Sequence, residues 1–208
     1  MLSIAATAPL SFGGFAKAAA PKAAPKFAYG LPGNFNIIGQ PNGVGFDPYG
    51  FLEGKSKLEV YRYRECELTH GRVGMLAATG FIIQEKFHPL FDGVGGPAID
   101  QIPQLPFWLW STLSVGITFV EFNRIQQAFR ELDGKTLNAK SALRPGYEPG
   151  QLGFDPLGFA PTDPAEFRSM QEKELAHARV GMIAAAIFLL QEGITGTTWG
   201  TAWGIPDF

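Results

Sequence analysis

Glu67-Leu-Thr-His70-Gly-Arg72-Val-Gly-Met75 returns 107 positions later as Glu174-Leu-Ala-His177-Ala-Arg179-Val-Gly-Met182. The match extends both ways along the chain. Upstream, Val44-Gly-Phe-Asp-Pro-Tyr-Gly-Phe51 recurs as Leu152-Gly-Phe-Asp-Pro-Leu-Gly-Phe159, and downstream Gln84-Glu85 recurs as Gln191-Glu192. Two helices built on one plan, each led in by the same kind of loop, are the simplest reading.

Helix geometry says what the repeated residues can do. At about 100° per residue, Glu67, Gly71, Gly74 and Ala78 fall within about 40° of one line, as do Glu174, Ala178, Gly181 and Ala185. Each copy therefore carries a seam of small residues topped by a glutamate, which permits close backbone approach between two helices. Arg72 lies about 140° around from Glu67, too far for a good intrahelical pair. The partner has to come from the other copy, so the expected pairs are Glu67 with Arg179 and Glu174 with Arg72. An unpaired charge at membrane depth costs several kcal/mol, which makes pairing close to obligatory. His70 and His177 sit off the seam, and Gln84 and Gln191 follow 14 residues later on about the same side, ~21 Å deeper. A stripe with one donor per level suits several metal-centred cofactors, each taking one axial ligand.

The repeat lies in a chain of 208 residues with 17% charged and 46% hydrophobic residues, 18 Phe, 26 Gly and 16 Pro. Charge is low for a soluble domain, where about 25% is usual. Three apolar stretches, Val73 to Ile83, Phe107 to Phe122 and Val180 to Leu190, are each shorter than the ~20 residues of an uninterrupted span. Alone they would also suit the buried helices of a soluble bundle. The first, however, belongs to a longer helix starting at the capping box Ser56-Lys57-Leu58-Glu59 and stopping before Pro89. Its length of ~46 Å can cross a bilayer at a tilt. The third starts at Asp163 with Pro164 at the first helical position and stops near Gly193, and the second runs from Pro106 to Gly134.

If all three cross a membrane, fourteen of the 17 Lys and Arg fall on the side of the N-terminus, two lie inside the helices, and Lys86 alone lies opposite. That sorting follows the positive-inside rule and has no cause in a soluble bundle. The expected fold is an all-α membrane protein with three transmembrane helices, at about 56–87, 106–133 and 163–192. The first and third are long, crossed and related by a pseudo-twofold axis along the membrane normal.

The first 46 residues contain no Asp or Glu, and Met1 to Tyr29 is Ala/Pro/Lys-rich. Residues 1–30 read as an organelle transit-peptide-like segment or a flexible tail, with the domain occupying 31–208. A single cysteine, Cys66, excludes an intrachain disulfide framework and a Cys-ligated metal cluster, and is expected to pack. A net charge of −2 offers no case for nucleic acid. In the middle helix Glu121 and Arg124 are three apart and can pair, as a charge-compensated carboxylate or an ordinary surface pair.

With these motifs the chain resembles the light-harvesting chlorophyll-binding protein superfamily of plant and algal thylakoids, over nearly all of residues 44 to 192. The resemblance implies that Glu67 and Glu174 each place a carboxylate oxygen on a chlorophyll magnesium, and that His70, His177, Gln191 and Glu121 ligate further chlorophylls. Gln84 is added by internal symmetry. Arg72, Arg179 and Arg124 would lock the ion pairs, and the Asp47 and Asp155 loops would receive the ends of two carotenoids. Oxygen and nitrogen donors suit Mg²⁺, a hard cation.

His177 stands where plant antennae commonly have Asn, no histidine follows Gln191, and the tail Gly196-Thr-Thr-Trp-Gly-Thr-Ala-Trp-Gly204 lacks a helical pattern. The short tail, with Leu143-Arg-Pro-Gly-Tyr-Glu-Pro-Gly150 before the second Gly-Phe-Asp-Pro, looks more like the algal chlorophyll a/c, fucoxanthin-type antennae. The cofactors implied are chlorophyll a, chlorophyll c and fucoxanthin or a related xanthophyll. The partners implied are a photosystem core, neighbouring antenna subunits and thylakoid lipids, with the N-terminus stromal. The implied function is excitation capture and transfer without bond chemistry, so no enzyme.

Two rivals stand beside it. A photoprotective member of the same superfamily would carry more protonatable residues facing the lumen than His88, Asp92 and Asp100. A di-iron carboxylate bundle also uses Glu-x-x-His on two helices, but needs a glutamate from each of two more, and only Glu121 is available.

Overall fold

Three helices longer than twenty residues dominate the computed structural model, which describes residues 27–33, 45–87, 95–129 and 143–205. Most of the transit-peptide-like segment, together with His88 and Asp92, lies outside the described residues. Helix α1 is Lys57–Lys86, α2 Ala98–Gln101, α3 Phe107–Ala128, α4 Pro164–Thr195 and α5 Trp199–Ala202. Helix α1 starts as expected: the Ser56 hydroxyl accepts from the Glu59 N–H, and the Glu59 carboxylate accepts from the Ser56 N–H at 2.9 Å. At α4 the Asp163 carboxylate accepts from the N–H groups of Ala165 and Glu166, with Pro164 in the first turn.

The termini depart from expectation in three places. Helix α4 runs through Gly193 and stops at Gly196, whose φ of 63° supplies the left-handed turn that ends a helix. Helix α3 ends at Ala128, well before Gly134. Phe129 turns extended and bridges antiparallel to Leu143, and the Arg144 N–H donates to the Ala128 carbonyl at 2.9 Å. Burial decides that end, since Ala128 and Leu143 pack with Leu31, Val60 and Tyr61 in a small core. The tail forms one helical turn, α5, capped by Thr198, where no helix was expected.

Helices α1 and α4 pack along the predicted seam. Every buried residue of α4 has its repeat counterpart buried in α1: Leu175 with Leu68, Ala178 with Gly71, Gly181 with Gly74, Ala185 with Ala78 and Glu192 with Glu85. The contact is reciprocal. A Cβ on Gly74 would lie 2.9 Å from the Met182 backbone, and one on Gly181 2.9 Å from the Met75 backbone. Phe81 and its counterpart Phe188 also meet, with ring centroids 5.9 Å apart.

The far end is reciprocal too. Glu192 accepts from the Ile99 N–H at 2.9 Å, and Glu85 accepts from the Trp199 N–H at 2.8 Å. Each long helix thus holds the short helix that follows the other. This explains α5, since a single turn cannot sustain a helix alone but can when a buried carboxylate accepts from its first N–H.

By length and composition, α4 is apolar enough to cross a membrane, and residues 98–104 with α3 qualify as a pair bent by 107°. Helix α3 buries only Ala128 of its 22 residues and exposes Phe107, Val115, Phe119 and Phe122.

Candidate pigment-binding site

The two interhelical ion pairs form as the repeat requires. Arg179 Nε lies 2.7 Å from Glu67 Oε1, and Arg72 Nε 2.8 Å from Glu174 Oε1. Each guanidinium also donates to a glycine carbonyl, Arg179 Nη1 to that of Gly33 and Arg72 Nη2 to that of Gly150, both at 3.0 Å. Gly33 and Gly150 have φ of 86° and 81°, and a Cβ on either would run into Leu175 or Leu68. Sequence reasoning missed these carbonyls, although the signal was present: Pro32-Gly33 and Pro149-Gly150 each precede a Gly-Phe-Asp-Pro loop.

It also missed Arg64. This arginine places Nε 3.0 Å from Glu67 Oε2 and donates to the Pro32 carbonyl. Glu67 therefore lies between two guanidinium groups, whereas among the described residues the Glu174 contacts to Arg72 all fall on Oε1. The counterpart of Arg64 is the neutral Gln171.

The remaining donors present free atoms in a common manner. His70 Nδ1 lies 2.8 Å from the Cys66 carbonyl and His177 Nδ1 2.8 Å from the Lys173 carbonyl. A carbonyl can only accept, so Nδ1 carries the proton and Nε2 keeps its lone pair, on rings that are exposed. Cys66, expected to pack, is itself exposed. Gln191 uses Nε2 for Thr195 Oγ1 and the Thr197 carbonyl, both at 2.9 Å, which leaves Oε1 as a buried acceptor with no partner among the described residues. Gln84 is exposed on α1. On α3, Glu121 Oε2 takes Arg124 Nε at 2.9 Å, which leaves Oε1 over, and Arg124 also reaches Glu65 on α1. Donors that stand singly, each with an unused oxygen or imine nitrogen, fit one axial position on each of several magnesium-centred rings.

Asp47 and Asp155 build their loops. Asp47 accepts from the N–H groups of Phe51 and Leu52, and Asp155 from those of Phe159 and Ala160, at 2.8 to 3.0 Å. Those amide donors hold the Asp155 carboxyl below its ordinary value. Phe46, Phe51, Phe154 and Phe159 stand exposed around the two turns, so each loop offers apolar rings rather than free carboxylate. A largely apolar cavity of about 940 Å³ opens over Glu67 and Arg179, lined also by Phe27, Phe51, Leu52 and Tyr63. It is large enough for a drug-sized or larger flat ligand.

Across the loop before the second Gly-Phe-Asp-Pro, Tyr147 donates to Glu65 at 3.0 Å. Burial, then the adjacent carboxylate, pushes its phenol up to about 12.

Comparison with known proteins agrees with this geometry. The profile of the family described as Chlorophyll A-B binding protein matches residues 34–193. The chain belongs to that family. It is 58% identical to a fucoxanthin-chlorophyll a-c binding protein of Isochrysis galbana, over all of both chains. It is also 44% identical to light-harvesting complex stress-related protein 1 of Chlamydomonas reinhardtii, over 87% of this chain and 72% of that one. A fucoxanthin-chlorophyll a-c binding protein of Chattonella marina var. antiqua is 30% identical over 73% of this chain and 65% of its own. As a member of a pigment-binding family, the chain directs Glu67 and Glu174 to arginines. Among the described residues, no three or more His, Cys, Asp or Glu gather at one point, as a di-iron centre needs.

Proposed function

We infer that the protein is a light-harvesting antenna subunit that binds chlorophylls and carotenoids, captures light and passes excitation to a photosystem. The observation that carries this is the reciprocal Glu–Arg lock with singly placed donors around it. A carboxylate balanced by an arginine can share an oxygen with magnesium without burying net charge. Bound chlorophyll supplies the light absorption, and the protein supplies spacing and orientation.

In this reading Glu67, His70, Glu121, Glu174, His177 and Gln191 are axial ligands, with Gln84 added by symmetry. The loops of Asp47 and Asp155 seat the ends of two carotenoids. Helices α1, α3 and α4 cross the plastid thylakoid membrane, with α1 and α4 related by a pseudo-twofold along its normal. The N-terminus is stromal, because that side carries the positive charge. Chlorophyll a, chlorophyll c and a fucoxanthin-like xanthophyll are the pigments, supported by whole-length similarity to a protein bearing that name. Neighbouring antenna subunits, a photosystem core and thylakoid lipids cover the exposed apolar faces.

Absorption of the detergent-purified protein, followed by pigment extraction and chromatography, tests this. Blue and red chlorophyll bands with chlorophyll c and a fucoxanthin-like carotenoid are expected. A colourless or iron-containing protein overturns it.

The similarity to a stress-related protein supports a second reading, in which the subunit dissipates excitation. A fluorescence lifetime that shortens several-fold between pH 7.5 and 5 would favour dissipation, and an unchanged lifetime favours harvesting.

A further inference from the structure

Helix α3 buries only Ala128 against the other described residues, yet Arg124, one turn earlier, enters a dense polar network. Glu65 of α1 lies at the centre and is almost wholly buried, at 1% exposure. Its Oε1 accepts from Arg124 Nη1 at 3.2 Å. Its Oε2 accepts from the Tyr147 hydroxyl at 3.0 Å and from the Gly150 N–H at 2.8 Å. A buried carboxylate with three donors is held in one geometry, because releasing any donor leaves a charged oxygen unsatisfied.

Arg124 is divided between two carboxylates. Nε and Nη2 face Glu121 Oε2, at 2.9 and 2.7 Å, while Nη1 faces Glu65 and also the Thr69 hydroxyl at 3.2 Å. A planar guanidinium engaged on both edges cannot rotate, so fixing Nη1 on Glu65 fixes Nε on Glu121. Glu121, 40% exposed at its side chain, is thereby held through Oε2, and the arginine does not engage Oε1.

We propose that Glu65 is the positioning residue for the chlorophyll site on Glu121. It anchors α3 through Arg124 and orients a ligand it does not itself touch. The proposal rests on the reading of Glu121 as a magnesium ligand. It also links that site to the other half of the molecule, since Gly150 donates its N–H to Glu65 and accepts Arg72 at its carbonyl. Hydrogen bonds thus run unbroken from Glu174 through Arg72, Gly150, Glu65 and Arg124 to Glu121.

The test refolds the full chain with chlorophyll a and carotenoid as wild type, Glu121→Gln, Glu65→Gln and Tyr147→Phe. Chlorophyll per chain and difference absorption spectra are the readouts. A second readout is the distance between spin labels at the exposed positions Val73 and Ile117, with Cys66→Ser. Glu121→Gln should lose one chlorophyll with the label distance unchanged. Glu65→Gln should lose the same absorption band, keep the other pigments, and broaden the distance distribution. Tyr147→Phe, which removes one donor of three, should weaken that band alone. Retention of the band in Glu65→Gln, or an even loss of all pigments, overturns the proposal. If Glu121→Gln keeps every chlorophyll, the ligand reading fails instead. An unchanged label distance in Glu65→Gln then overturns the anchoring role as well.

Discussion

The two halves of the repeat are built alike where the helices touch and differently where the charges sit. Glu67 and Glu174 each meet an arginine of the other helix, and each arginine meets a glycine carbonyl of a leading loop. Among the described residues Glu67 alone has a second cation, Arg64, because the counterpart position holds Gln171. Duplication preserved what close packing demands and left free what packing does not touch. The halves are therefore unequal as electrostatic sites: Glu174 is balanced by one arginine, and Glu67 is held by two.

The largest break in this comparison comes from removing each arginine in turn. Arg72→Leu leaves Glu174 without a cation and should cost roughly 3 kcal/mol, the order expected when one partner of a largely buried ion pair is removed. Arg179→Leu should cost clearly less, since Arg64 still pairs with Glu67. Thermal loss of the visible circular dichroism signal in detergent compares the two, and equal losses would remove the asymmetry argument.

The seam should behave oppositely, with both halves responding alike. A Cβ on Gly71 would lie 2.4 Å from the Ala178 Cβ, and one on Gly181 2.7 Å from the Met75 side chain and 2.9 Å from its backbone. Gly71→Val and Gly181→Val should each destabilise by about 1–3 kcal/mol through overpacking. Refolding yield and thermal midpoint measure it, and a neutral outcome in either would mean the helices do not meet there.

Two pH effects sharpen the comparison of the loops. Asp155 has a lowered folded pKa, so its contribution is present above the ordinary 3.8 and is lost as pH falls through the lower folded value. Thermal midpoints from pH 5 to 2 should fall less steeply in Asp155→Asn, and identical profiles would count against a loop-holding carboxylate. Tyr147 runs the other way. Its folded pKa of about 12 exceeds the ordinary 10, so its contribution is full below 10 and is lost as pH rises through 12. Tyr147→Phe should flatten that alkaline loss, a smaller effect followed by absorption of the bound pigments.

Much of this molecule could be read from helical period and repetition. Glu67 and Arg72 are about 140° apart on one helix, which forces a partner from the second copy, and the partner found is the one that geometry requires. The seam residues and the N-caps of α1 and α4 follow equally from local rules. The end of α3 did not, because Ala128 stops the helix by joining a core with Leu31 and Leu143, far away in sequence. Helix α5 was illegible because the tail has no pattern of its own and its first N–H donates to the carboxylate of Glu85, 114 residues earlier.

The amino-acid sequence by itself determined the duplicated helices, their small-residue seam, the crossed ion pairs and the family. Those depend on spacing within one helix and on identity between two copies. The tertiary structure alone decided that Arg64 donates to the Pro32 carbonyl, that Gly33 and Gly150 supply carbonyls, and that Glu65 joins α3 to α1 through Arg124. Each of these brings together groups from different segments, and the requirement that every buried charge find a partner selects among them only once the chain is folded.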